Sequence, residues 1–513
     1  MPSAVSSPPR LGHMMPRVSE SQAWASFSEW AGTLTDLESA ASLSGWDRET
    51  HMPPGGAESR ARSLGTLAAL SHRELTRADM GDVIDELADT ALEPTRAAAV
   101  RLVQKSRRRA LALPERLVRE SSEASSRCVS VWVDAKPAGE FDRVAPELER
   151  VVALKREEAR ALREPGMDED YDALLEGFEP GARTAWLEPL LGRVKAGVEP
   201  LVAPARDSSA PATTAQAEWP RDAQMELTAV LARTVGFDDA RGVIAESAHP
   251  FTASPGAGDV RFTTRLDPTN PLAGALASMH ELGHALYEQG LPDEPVGTPA
   301  REAPSLGAHE SQSRLWENYV GRTDEFWSTL APTLHDLFPD AMRRVEPADL
   351  ARQARRSQPS LVRVEADEVT YDLHIILRFE LEVALIRGDL TVTDLPAAWD
   401  ERIESLLGVR PTDPSDGAMQ DIHWHAGMIG YFPTYTLGNL YAAQLAETIT
   451  SELAPIPRLT EENRLGELLA FLRQRVHEHG SVYETAQLMR RATGQELSEE
   501  PLIRHLRETY VEV

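Results

Sequence analysis

The sequence predicts a mainly α-helical protein with one small β element. Three observations predict it. Apolar side chains recur at three- and four-residue spacing over long stretches, as at Trp24, Phe27, Trp30 and Leu34 and again at Val144, Leu148, Val151 and Val152. Ala, Leu, Glu and Arg, which lose little rotamer freedom in a helix, dominate as far as residue 200. One short run alternates instead with period two, Val260, Phe262, Thr264 and Leu266 against Arg261, Thr263 and Arg265, as a half-buried strand does.

In chain order, residues 1–20 are rich in Ser and Pro and carry no periodicity, so a disordered arm is expected there, followed by one large helical domain over 21–513. Residues 204–220 hold three prolines and a run of Ala, Ser and Thr, and are expected to form a surface loop within that domain. The strand ends at the turn cluster Asp267-Pro-Thr-Asn-Pro271. A helix then carries Leu272 through Tyr287, with Gly290 as its terminator, and the chain to Val513 reads as mainly helical.

Composition bounds the function. At 513 residues the chain can bury a core without staples. A formal charge of −28 disfavours nucleic acid and anionic membranes as partners. No apolar run approaches the ~20 residues of a membrane span. The first residues lack the apolar core of a secretory signal, and Cys128 is the only cysteine, so a cytoplasmic protein is expected.

The chemistry centres on His280-Glu281-Leu282-Gly283-His284. Side chains four apart on a helix lie one above the other, so two imidazoles can meet one tetrahedral cation. Glu281 then stands beside the open coordination position as a base for water, which zinc brings to a pKa of about 7. A catalytic zinc needs a third protein ligand. Glu310, 26 residues past His284, and its neighbour His309 are both in reach, and spacing does not choose between them.

Six blocks in this order resemble the carboxypeptidase Taq family of metallocarboxypeptidases. They are His249-Pro-Phe251, Asp259-Val-Arg-Phe-Thr263, His280 to His284, His309-Glu-Ser-Gln312, Val362-Arg-Val-Glu-Ala-Asp367 and Gly417-Ala-Met-Gln-Asp-Ile-His-Trp424. Tyr171-Asp-Ala-Leu-Leu175 and the stretch from Gly430 to Gly438 also read like this family. The resemblance implies a helical fold similar to those of neurolysin and angiotensin-converting enzyme, with the active site deep in a groove. It implies a homodimer that removes C-terminal residues from peptides with broad tolerance, using zinc, with cobalt as a substitute. It also implies Glu310 as the third ligand.

A carboxypeptidase has to recognise a free carboxylate, for which the planar fork of arginine is suited. The candidates are Arg363, then Arg261, then Arg410, the first two lying in blocks that close the groove in this family. The alternative for each is an ion pair with a neighbouring acid such as Asp259 or Asp367. By likeness to the neurolysin-type enzymes, Tyr435 is the expected oxyanion donor, with Tyr431 as alternative, and His423 is expected to contact the substrate or transition state. His249 is expected near the groove. Glu288, one turn beyond His284, reads as a solvent-facing acid or as a support for a ligand.

Overall fold

The computed structural model describes residues 20–209, 217–292, 295 and 297–512. The architecture is helical with one three-stranded sheet. The expected arm, except for Glu20, lies outside the described residues.

The chain enters through α1 (Glu20–Thr50), whose buried face carries Ala23, Phe27, Trp30 and Ala31. That face packs with Met80, Ile84, Leu87, Val100 and Val103 into one apolar cluster. A second, larger cluster runs from Leu117 to Tyr510. Helix α2 (Phe141–Leu162) contributes Val144, Leu148, Val151 and Val152 to it, the stripe expected from the spacing.

The expected 204–220 loop needs correcting over residues 204–208, which are helical. Helix α3 (Thr184–Ser208) continues through Pro200 and Pro204, each of which ordinarily costs a helix interior about 3 kcal/mol. Tertiary packing offsets this. Val198, Leu201 and Ala205 are buried, and Ser209 docks the helix end by accepting the Ser357 backbone N–H at 2.8 Å. Residues 210–216 lie outside the described set.

Strand β1 (Gly242–Glu246) runs parallel to β3 (Asp259–Thr264), and β2 (Thr252–Gly256) pairs antiparallel on its other side. Val260 and Phe262 are buried and Arg261 is half-buried, as alternation predicts, but Thr263 is also buried. Both of its neighbours in the sheet are short strands that the sequence reading did not identify.

Helix α4 (Pro271–Gly290) crosses this sheet. Thr264 donates to the Gly274 carbonyl at 3.2 Å and receives the Ser278 hydroxyl at 2.8 Å. Met279, Leu282, Leu286 and Tyr287 are all but fully buried, each stabilising the fold by roughly 1.5–3 kcal/mol. One stripe of α4 stays half-open, Ala273, Ala277, His280, His284 and Glu288, at the three- and four-residue spacing of a single helix face.

Three further helices carry residues the site draws on, α5 (Leu306–Arg314), α6 (Glu368–Arg387) and α7 (Pro433–Glu452), of which α5 packs on both α4 and α7. A π-helical turn, Leu315–Val320, continues directly from α5. No helix among the described residues is long and apolar enough to cross a membrane.

Candidate active site

His280 and His284 project from the half-open stripe of α4, their ring centroids 5.0 Å apart. Glu310 reaches them from α5. Its Oε2 lies 3.6 Å from His280 Nε2 and 3.3 Å from His284 Nε2. A tetrahedral cation with bonds of about 2.0–2.1 Å separates its ligand atoms by about 3.3 Å, so the three side chains fit a divalent metal. Among the described residues they are the one His, Cys, Asp and Glu group with this convergence.

Two glycines make the approach possible. A Cβ on Gly283 would lie 2.4 Å from the Gln312 carbonyl oxygen, so α4 and α5 touch backbone to backbone at that point. A Cβ on Gly438 of α7 would lie 2.5 Å from Glu310 Cγ. The Gly of the His-Glu-Leu-Gly-His run is therefore a packing requirement rather than a spacer.

The electrostatics prepare the ligands. His280 Nδ1 lies 2.9 Å from Glu317 Oε2. Burial alone would raise the Glu317 carboxyl, but His280, Arg322 and Arg314 hold it far below the carboxylate range, so it is an acceptor. Nδ1 of His280 must then carry the proton, which leaves the Nε2 lone pair for a metal. Burial pushes His284 down to about 3, with the nearby His309 adding to the effect, so this ring is neutral at pH 7. Burial would also raise Glu310, but Arg314 and the two imidazoles outweigh it and keep the group ionised. Arg314 Nε donates to Glu310 Oε1 at 2.7 Å, which leaves Oε2 towards the imidazoles.

Glu281 is buried beside the cluster. Burial raises its carboxyl above the usual value, while Thr252 of β2 donates to its Oε2 at 2.7 Å. His309 does not converge with the three. Its Nε2 is 2.8 Å from Glu288 Oε1, and its ring stacks on His284. Glu288 is thus half-buried and engaged, not solvent-facing.

A chain of contacts leads from Glu310 to the other expected residues. Arg314 sits over the Tyr371 ring at 4.1 Å, and Tyr371 accepts from Arg363 Nη1 at 3.1 Å. The Arg363 guanidinium lies 5.0 Å from the centre of the Tyr435 ring. Tyr435 Oη is 3.4 Å from His423 Nε2, and the Tyr431 ring stands 5.3 Å from that of Tyr435. Burial, then Arg363, depress His423 to about 4, so this imidazole is neutral at pH 7.

Arg363 is buried and bound to Asp421 through Nε and Nη2, at 3.0 and 2.9 Å. Asp367, its expected alternative partner, instead caps α6 by accepting the Val369 and Thr370 N–H groups. Arg261 pairs with Asp259 through two bonds of 2.7 and 2.8 Å and lies over Trp46. Arg410 is on the surface, paired with Glu404, and does not join the cluster of Arg363, Tyr371 and Tyr435. His249 is exposed in the turn between β1 and β2.

The profile of the carboxypeptidase Taq (M32) metallopeptidases matches residues 26–510. The chain belongs to this family. The M32 chain is 40% identical over 501 residues to thermostable carboxypeptidase 1 of Thermus thermophilus, covering 95% of its own length and 98% of that protein. It is 34% identical to carboxypeptidase 1 of Bacillus subtilis, covering 93% and 96% of the two chains. The crystal structure of the M32 carboxypeptidase from Deinococcus radiodurans superposes with a TM-score of 0.92 at 34% identity, over 96% of this chain and 99% of that one. Family membership makes the chain a metallocarboxypeptidase, a hydrolase acting on peptides with a divalent metal.

The sequence reading missed Thr252, Arg314, Glu317 and Asp421. Glu317 had a signal, since it follows Glu310 by seven residues, two helical turns on one face. Thr252, on a separate strand, had none.

Proposed function

We propose that the chain is a zinc carboxypeptidase that removes residues one at a time from free peptide C-termini, with broad side-chain tolerance and Glu281 as its base. The convergence of His280, His284 and Glu310 next to a buried, hydroxyl-bound Glu281 carries this reading. A divalent cation held by these three side chains supplies Lewis acidity, which polarises a carbonyl and acidifies water to a pKa of about 7.

The chain's own groups do the rest. Glu281 takes a proton from the attacking water and returns it to the leaving amine. Burial favours this, because a carboxylate raised above its ordinary pKa is a stronger base. Tyr435 donates its hydroxyl to the developing oxyanion, with Tyr431 as the alternative donor and His423 in contact with the same region. Arg363, anchored by Asp421, is the proposed partner of the substrate carboxylate. Arg261, whose fork is likewise held by a carboxylate, that of Asp259, is the second candidate. The reading extends to cobalt as a substitute metal, a homodimeric assembly and a cytoplasmic location.

Mass spectrometry of peptide digests tests it, with apo, zinc-loaded and cobalt-loaded enzyme and matched peptides ending in a free or an amidated carboxyl. Single-residue ladders from the free terminus, none from the amide, and no activity from Glu281→Gln are expected. Internal cleavage, dipeptide release or processing of the amide would refute it.

A further inference from the structure

The two imidazoles of the proposed metal site are held in different ways. His280 has the usual support, a carboxylate on its remote nitrogen, Glu317 at 2.9 Å. His284 has none among the described residues, where its buried Nδ1 meets no hydrogen-bond partner. Its ring lies instead against His309, centroids 4.4 Å apart and planes 21° from parallel. His309 is itself fixed, with Nε2 2.8 Å from Glu288 Oε1 and the Tyr287 ring 5.5 Å away. Tyr287 in turn packs on the ring of His477 at 4.7 Å, and His477 Nε2 lies 2.8 Å from Gln312 Oε1.

We propose that His309, held by Glu288, is a positioning residue that keeps the His284 ring aimed at the metal by stacking. This rests on the metal site proposed above. A ligating imidazole must present one lone pair along one direction. With Nδ1 unbonded, rotation of His284 about its Cβ–Cγ bond is opposed by packing alone, and the flat face of His309 is the surface that opposes it. The position of His309 beside Glu310 follows from the same arrangement. One residue on α5 turns to the metal, and the preceding one turns to the ligand above it.

The test compares metal affinity of the full-length protein with that of His309→Ala, His309→Phe and Glu288→Gln, by zinc competition against a chromophoric chelator. The absorption spectrum of the cobalt form is the second readout. Loss of a support of this kind weakens metal binding about 10- to 100-fold, so His309→Ala should fall by about 10-fold, while His309→Phe, which keeps a flat ring, should stay within about threefold of the parent. The cobalt spectrum should shift in the alanine variant and not in the phenylalanine one. Melting of the apo proteins shows whether each variant folds. An unchanged affinity in His309→Ala overturns the proposal, as does a phenylalanine variant as weak as the alanine one, which would make a polar or ligating nitrogen the essential feature. If His284→Ala binds zinc as the parent does, the metal site itself is wrong, an outcome separate from these.

Discussion

Gly438 of α7 lies so close to Glu310 of α5 that a Cβ built on it would stand 2.5 Å from Glu310 Cγ and 2.6 Å from its Cβ. The third proposed metal ligand therefore owes its place to a missing side chain on another helix. Gly438→Ala should cost about 1–3 kcal/mol through overpacking of a tight helix pair. Because the atoms displaced belong to Glu310, zinc affinity should fall more than the melting temperature suggests. Chelator competition alongside thermal melting checks this, and a variant that melts lower but binds zinc with parental affinity would contradict it.

Glu317 ties His280 to two arginines, accepting from Arg322 Nη2 at 2.6 Å and lying 3.4 Å from Arg314 Nη1. Glu317→Gln keeps the shape but loses the charge that fixes the His280 tautomer, and should weaken zinc binding by about 10- to 100-fold. Glu317→Ala also strands buried guanidinium groups, and should destabilise the fold by about 3–5 kcal/mol. The ordering of the two variants in urea melts is the check. Equal stability would mean that the arginines find other partners.

What could be read from the sequence was what depends on neighbours along the chain. The stripes of α1 and α2 and the pairing of His280 with His284 follow from helical geometry alone, and β3 from period two. Strands β1 and β2 are five residues each and exist through their pairing with β3, a long-range contact that their own composition does not announce. Pro204 reads as the start of a loop when local propensity is weighed without the buried face of Val198, Leu201 and Ala205. Arg410 was a candidate by residue type, and only the fold shows that it faces Glu404 on the surface. Asp421 had no signal, since its partners Arg363 and Arg378 are 58 and 43 residues away.

Thr252 donates a single hydroxyl proton, and Glu281 Oε2 at 2.7 Å is a closer acceptor than the Glu281 carbonyl at 3.1 Å. Thr252→Val replaces that donor by a methyl of similar size. A hydrogen bond to a charged group contributes about 1.5–3 kcal/mol, so kcat should fall roughly 10- to 100-fold with KM little changed. Thr252→Ser should recover most of the rate. Steady-state kinetics on one peptide decide the point, and a valine variant with parental kcat would show that packing alone orients Glu281.

Asp372 of α6 is fully buried, and its Oδ1 accepts from Thr436 Oγ1 at 2.7 Å and Asn439 Nδ2 at 2.9 Å, while Oδ2 has no partner among the described residues. Burial raises its carboxyl to about 6, partly offset by those two donors. Between its unfolded value near 3.8 and the folded value near 6, the native protein binds more protons at this site than the unfolded chain. The contribution of Asp372 is therefore complete below the lower value and is lost as pH rises through the upper one. At 1.36 kcal/mol per unit this amounts to about 1–3 kcal/mol of strain at pH 8. Asp372→Asn keeps the accepting oxygen and cannot ionise, so it should be more stable than the parent at pH 8 by about that amount. The advantage should shrink towards pH 5, where the parent carboxyl is protonated in the folded state. Urea melts at the two pH values measure the difference, and a gap that stays constant between them would mean that Asp372 does not titrate in this range.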